Sequence, residues 1–176
     1  MKPIALITGA TGKVGFATCK AINNRFSLYL EVRGGIRNPL KATKLSILEK
    51  IQQVKFDTTD QTSLREALRG VERMFLIPPN SENRVEVCKF LISQAQLAGV
   101  NFIVLQSMLI ANNRKLMFGK QFGLIEDCLK ESGIPYCILR TNLFMENCLA
   151  HRWHAVQNHE FITAHTEDVK VPKQTF

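Results

Sequence analysis

Residues 8–15 read Thr-Gly-Ala-Thr-Gly-Lys-Val-Gly, and this glycine-rich stretch decides how the chain folds. An apolar run, residues 3–7, precedes it, and a helix-like segment, residues 16–22, follows it. A strand, a glycine turn and a helix in this order can cradle a dinucleotide pyrophosphate, because glycine lets the backbone approach the phosphates and the helix N-terminus offers free N–H groups. The spacing is Gly-x-x-Gly-x-x-Gly, so an ordinary turn is the alternative. The position between strand and helix favours the phosphate site.

Short apolar runs and amphipathic segments alternate along most of the chain. The runs predict strands at residues 4–8, 28–33, 53–56, 73–77, 102–106 and 136–139, and the segments between them predict helices at 14–24, 40–50, 63–69, 82–98 and 121–132. Strands that alternate with helices form right-handed crossovers and a parallel sheet. We therefore predict an α/β fold with a doubly wound, Rossmann-type sheet in the strand order 3-2-1-4-5-6.

The composition is that of a globular domain with one core. The chain has 176 residues, of which 45% are hydrophobic, and its apolar runs are too short to span a bilayer. The apolar run of the first strand begins at residue 3, which leaves no room for a signal sequence before it. The five cysteines are scattered without a Cys-x-x-Cys pair. These features predict reduced thiols, a cytoplasmic protein and no membrane partner.

A net charge of +8 raises nucleic acid as a candidate partner. The Lys and Arg residues are spread along the chain, however, and no motif combines basic with aromatic residues. Positive potential also attracts a polyanionic dinucleotide. We expect the dinucleotide to be the partner and expect no nucleic acid.

The turn after the second strand indicates which dinucleotide binds. An acidic residue there would bond the adenosine ribose of NAD(H), whereas an arginine would pair with the 2′-phosphate of NADP(H). No acid follows this strand, but Arg33 and Arg37 lie there. The guanidinium fork matches phosphate oxygens, so the sequence favours NADP(H) over NAD(H). Glu31 is the alternative, because a shift of two residues in the strand boundary would bring it to the ribose.

Five stretches together resemble the NmrA-like family of atypical short-chain dehydrogenases/reductases. They are residues 8–15, 32–39 (VRGGIRNP), 55–60 (KFDTTD), 74–79 (MFLIPP) and the long stretch 119–147, which is the most specific of them. The resemblance implies a Rossmann domain that prefers NADP(H) and a smaller C-terminal part that shapes a substrate pocket. Family members include quinone reductases, isoflavone-type reductases and proteins that sense the NADPH/NADP balance.

The resemblance also implies which residues hold the cofactor. The residues at the pyrophosphate lie in the glycine loop. The residue at the 2′-phosphate follows the second strand, and the residues at the adenine follow the third. The residues at the nearer ribose follow the fourth strand, and those at the nicotinamide follow the sixth. In chain order they are Gly9, Thr11, Gly12, Lys13, Val14, Gly15, Arg37, Asp57, Thr58, Ile77, Pro78 and the stretch from Phe144 to Asn147. We add Arg33 to this set because it lies at the predicted end of the second strand, as described above.

The chain departs from the family in its catalytic residues. Neither of its tyrosines is followed by a Lys four residues later, and Phe122 stands where the family has a Lys or His. A phenyl ring cannot donate a proton. Lys120 and Ser107 lie near this point but are more simply a surface charge and a strand-end hydroxyl. We therefore assign no catalytic residue and expect weak turnover.

The second departure is the C-terminal part. We divide the chain into a dinucleotide-binding domain, residues 1–147, and a divergent tail, residues 148–176, so that the substrate part is truncated or missing. The tail contains all four histidines, but their spacing matches no zinc pattern, and we predict no metal site. We expect an NADP(H)-binding module that senses redox state or regulates a protein partner. The alternatives are an NADPH-dependent reductase of a quinone or small carbonyl and an incomplete form of a longer protein.

Overall fold

The computed structural model describes residues 2–38, 42–142 and 144. The chain forms two compact units, Met1–Thr141 and Asn142–Phe176, and the fold described here is that of the first. Six strands form one sheet in the order β3-β2-β1-β4-β5-β6, and every neighbouring pair is parallel. The predicted fold class and strand order are confirmed.

Four α-helices connect the strands. The elements are β1 Ile4–Ile7, α1 Lys13–Arg25, β2 Glu31–Ile36, β3 Ile51–Lys55, α2 Gln61–Leu68, β4 Val71–Leu76, α3 Arg84–Leu97, β5 Phe102–Met108, α4 Met117–Glu131 and β6 Tyr136–Thr141, with short 3₁₀ turns at Leu45–Ile47 and Leu109–Asn112. Among the described helices, none combines the length and the apolar character that crossing a membrane requires.

The sheet separates two apolar cores, and β1 contributes to both. Leu6 belongs to the core beneath α2, α3 and α4, whereas its neighbour Ile7 belongs to the core on the α1 side. Successive side chains of a strand point to opposite faces, so a fully buried strand must be apolar throughout. This explains why the run before the glycine loop does not alternate with polar residues.

The predicted helix at residues 40–50 is wrong over the part that the structure describes. Residues 42–50 contain only the 3₁₀ turn Leu45–Ile47. Ala42, Leu45 and Leu48 are all buried in the α1-side core. They recur every three residues, which suits the tighter 3₁₀ geometry rather than an amphipathic α-helix.

The second strand lies three residues later than predicted. Gly34 and Gly35, expected in a turn, are interior residues of β2. A Cβ on Gly34 would lie 3.2 Å from the Cβ of Ala10, and one on Gly35 would lie 3.1 Å from the Cβ of Phe56. The glycines are therefore required by the close packing of β2 against its neighbours, not by a reversal of the chain.

An ion pair between a buried carboxylate and a partly exposed arginine joins β5, α4 and β6. Glu126 on α4 is 1% exposed, and its carboxylate accepts hydrogen bonds from Arg140 Nε at 2.9 Å and Nη2 at 2.6 Å and from Ser107 Oγ at 2.5 Å. Burial by itself would raise the pKa of Glu126. The hydrogen bonds from Arg140 and Ser107, with the positive charges of Arg140 and Lys130, outweigh it and lower the pKa.

We expect Glu126→Gln to lower the free energy of unfolding at pH 7 by about 2 kcal/mol, because the buried carboxylate loses its charge-assisted hydrogen bonds from Arg140. The exposed pair of Arg114 and Asp127 supplies the control, and Asp127→Asn should cost less than about 1 kcal/mol. Because the pKa of Glu126 is lower in the folded state, the ionised carboxylate stabilises the fold at pH values above the unfolded-state pKa. This stabilisation is lost as the pH falls. The difference between wild type and Glu126→Gln should therefore shrink below pH ~4, measured by urea denaturation. Equal costs for both variants at pH 7 would contradict this account.

Candidate functional site

The glycine loop brings the start of α1 against the end of β1. Gly9 has a φ of 60°, in the left-handed region, and its carbonyl accepts a hydrogen bond from Gly12 N at 2.9 Å. A Cβ on Gly15 would overlap the Gly9 carbonyl oxygen and lie 2.8 Å from the Cα of Ala10. Only glycine permits this close approach of helix and loop.

The first turn of α1 leaves its N–H groups available. Gly12 precedes the helix with an extended backbone and has no side chain to cap it, and the first turn, which is fully described, carries no acidic residue. Thr11, Gly12 and Lys13 are exposed. Free N–H groups, the helix dipole and an adjacent lysine favour an anion. The loop therefore fits a pyrophosphate group, as the sequence predicts.

Thr8 fixes the loop to the neighbouring strand at the switch point of the sheet. Its buried hydroxyl accepts a hydrogen bond from Ile77 N at 2.8 Å, and its own N–H donates to the carbonyl of Phe75 at 3.0 Å. Ile77, predicted at the ribose, is thus held beside the loop, and Pro78 follows it in the chain. Thr8 is not among the residues predicted to hold the cofactor. The sequence feature that could have identified it is a hydroxyl residue at the end of β1, directly before the first glycine.

The structure separates the two arginines predicted at the 2′-phosphate. Arg37 is exposed and follows directly after Ile36, the last residue of β2. Arg33 lies inside β2, where its guanidinium donates to the carbonyls of Ala67 at 3.0 Å and Arg69 at 2.6 Å and to Gln52 Oε1 at 3.2 Å. Arg33 therefore holds β2 to β3 and to the end of α2, and the structure does not bring it to the strand end. Arg37 alone keeps the predicted role.

Asp57 and Thr58 follow β3, which pairs with β2. The carboxylate of Asp57 accepts hydrogen bonds from the backbone N–H of Thr59 at 3.0 Å and from its hydroxyl at 2.8 Å. These bonds lower the pKa of Asp57, and the positive charges of Lys55 and Arg37 add to the effect. Asp57 is thus an ionised residue of a rigid turn beside Arg37, at the edge predicted for the adenine. Glu31, at the opposite end of β2, lies outside this edge.

The β5 and α4 side of this edge offers little acid–base chemistry. The hydroxyl of Ser107 is bonded to Glu126, the Phe122 ring is buried, and Lys120 is exposed. Of the two residues predicted at the nicotinamide, Phe144 lies in the second compact unit and Asn147 lies outside the described residues. The tail histidines lie outside them as well.

Comparison with known proteins agrees with this geometry. The profile of the NAD(P)H-binding family matches residues 9–171. The chain belongs to this family. The match spans the glycine loop, the Arg37 turn and all of β3 to β6, so a nicotinamide dinucleotide is confirmed as the cofactor class.

Relatives that share this fold include reductases. Quinone oxidoreductase 2 of Escherichia coli (strain K12) is 33% identical over 159 residues, which are 90% of this chain and 55% of that protein. The crystal structure of an E. coli NADPH-dependent quinone oxidoreductase complexed with NADPH superimposes with a TM-score of 0.80 at 31% identity, covering 88% of this chain and 54% of that one. The chain thus spans about half the length of the curated relatives it matches.

The NmrA-like resemblance is confirmed at the level of the fold. The crystal structure of NmrA, a negative transcriptional regulator, has a TM-score of 0.70 at 14% identity and covers 84% of this chain and 48% of that one. At this identity the likeness shows a shared architecture only.

The two arginines provide a matched test of cofactor preference. We expect Arg37→Ala to weaken NADPH binding about 10- to 100-fold and to leave NADH binding unchanged, because one charge-assisted phosphate contact is lost. Arg33→Ala should lower the melting temperature without changing the ratio of the two affinities. Isothermal calorimetry with both cofactors measures the ratio. An unmodified protein that binds NADPH and NADH equally would refute the assignment.

Proposed function

We propose that this protein is an NADPH-dependent reductase whose substrate is a quinone. The observation that carries the proposal is a glycine loop and an exposed Arg37 that fit a dinucleotide, with no free proton donor among the described residues beside them. Arg37 and the glycine loop form the predicted dinucleotide site. On the β5 and α4 side, Phe122 is a buried ring and the hydroxyl of Ser107 is bonded to Glu126, so neither can donate a proton to a substrate. A quinone is the class of acceptor that such a site suits best.

The reason lies in where charge appears during reduction. When bound, the cofactor supplies a hydride, and the protein binds and orients it. Hydride transfer to a quinone leaves a negative charge that an aromatic ring delocalises, so the hydroquinone takes its proton from water. Hydride transfer to an aldehyde leaves a localised alkoxide, and a positioned acid would then contribute ~10²–10⁴-fold. The described residues place no such acid at the edge of β5.

Similarity to an E. coli quinone oxidoreductase supports the same substrate class. Because the chain covers only about half of that protein, the activity is a proposal that rests on the site. The four cysteines among the described residues are free thiols, as is usual where thiols are kept reduced. This supports a cytoplasmic place of action.

A second candidate is a module that binds NADP(H) and reports its occupancy to a protein partner. The lack of a proton donor at Phe122 fits this function equally well, since binding alone requires only the loop and Arg37. In this case cofactor binding would shift a conformational equilibrium rather than start a reaction.

Steady-state NADPH oxidation separates the two functions. At saturating NADPH we expect 1,4-naphthoquinone to be reduced at least ~100-fold faster than an aliphatic aldehyde, because only the aldehyde needs an acid. Lys120→Ala should leave the rate unchanged, since Lys120 is exposed. Tight NADPH binding without quinone reduction would overturn the reductase proposal and leave the occupancy-reporting module.

A further inference from the structure

Arg84 is a buried charge without a counter-ion among the described residues. It is 7% exposed, and no ion pair of the described chain includes it. Its hydrogen bonds go to neutral acceptors, from Nε to the carbonyl of Ser81 at 3.0 Å and from Nη2 to Asn80 Oδ1 at 3.1 Å. Nη1 makes no hydrogen bond with a described residue. Part of the guanidinium fork is therefore uncommitted.

The position of Arg84 costs stability. It is the first residue of α3, where the positive end of the helix dipole disfavours a cation. Burial of a charge that lacks an anion adds a desolvation penalty. An apolar side chain of the same length would avoid both costs. The two neutral hydrogen bonds hold the guanidinium but do not neutralise its charge.

Two aromatic rings hold the guanidinium in place. Its central carbon lies 4.9 Å from the ring centroid of Phe118 and 5.6 Å from that of Phe122, both in the first two turns of α4. Cation–π attraction partly offsets the buried charge and fixes its orientation. Phe118 remains 39% exposed, so this aromatic clamp borders solvent on one side.

The clamp stands at the same edge of the sheet as the glycine loop. Arg84 follows the loop after β4, and the two rings follow β5, so both approach the carboxyl ends of parallel strands, where ligands of such sheets bind. β4 pairs with β1, which leads into the glycine loop, and Arg37 lies on the other side of β1, after β2. The edge thus carries Arg37 on one side of the glycine loop and Arg84 on the other.

We propose that Arg84 binds the anionic oxygen of the second ligand in this site, a quinone or its reduced anion. The inference rests on the proposed function. Two electrons and a proton pass as hydride from NADPH to the quinone, which leaves NADP⁺ and a hydroquinone monoanion that water then protonates. The uncommitted N–H groups of Arg84 donate to the oxygen on which that charge collects, so the arginine stabilises the anion without giving up a proton.

The test uses a hydroxynaphthoquinone that is an anion at pH 7, with neutral 1,4-naphthoquinone as its uncharged partner. Both are titrated into the NADP⁺-bound protein, so no turnover occurs. We expect Arg84→Met to weaken binding of the anion at least tenfold and of the neutral quinone less than twofold. Arg84→Lys should retain most of the affinity for the anion, and the exposed Arg65→Met should change neither.

Equal losses for both quinones, with a lower melting temperature, would show a structural role and overturn the inference. If Arg84→Met does not fold, the unmodified protein decides, because it must bind the hydroxynaphthoquinone more tightly above the ligand's pKa than below it. Binding of the anion through Arg84 with no NADPH oxidation would contradict the proposed function but not this inference. Quinone turnover that Arg84→Met leaves unchanged would contradict this inference alone.

Discussion

Gly15 brings the first turn of α1 against the carbonyl of Gly9, and the site is built around this contact. Because neither residue carries a Cβ there, the helix begins directly above the end of β1 and directs its N–H groups outward. Thr8 then bonds the same strand end to Ile77, which fixes the loop relative to β4. A side chain at position 15 would push the helix away and open the cradle. The predicted pyrophosphate site and the position of the helix at the switch point of the sheet therefore depend on one close approach.

The arginines of this domain differ in what their guanidinium groups contact. Arg37 lies exposed after β2, beside the ionised Asp57, where a solvated phosphate can reach it. Arg33 and Arg140 serve the fold instead, since carbonyls and a buried carboxylate hold their guanidinium groups. Arg84 belongs to neither class, because its hydrogen-bond partners are neutral and no described residue pairs with its charge. This contrast assigns different roles to four arginines that composition alone treats alike.

The sequence was sufficient to predict those parts of the structure that local patterns determine. The apolar runs located all six strands, and the glycine spacing located the cradle and the start of α1. The end of β2 was misplaced because Gly34 and Gly35 look like a turn, whereas their real cause is packing against Ala10 and Phe56 from other elements. The same shift made Arg33 look like a phosphate residue. The clamp around Arg84 could not be predicted, since Arg84 lies in α3 and both rings lie in α4, so they meet only in the folded protein.

The central claim is that the glycine loop is the dinucleotide site, and NADPH titration of Gly12→Val tests it most directly. Gly12 has an extended backbone that valine accepts, and a Cβ there would lie 3.2 Å from the Gly9 carbonyl oxygen, which a small shift relieves. We therefore predict unchanged circular dichroism and the loss of calorimetric NADPH binding, because the added methyl groups occupy the space of the phosphates. A folded Gly12→Val protein that still binds NADPH with the affinity of the unmodified chain would contradict the account.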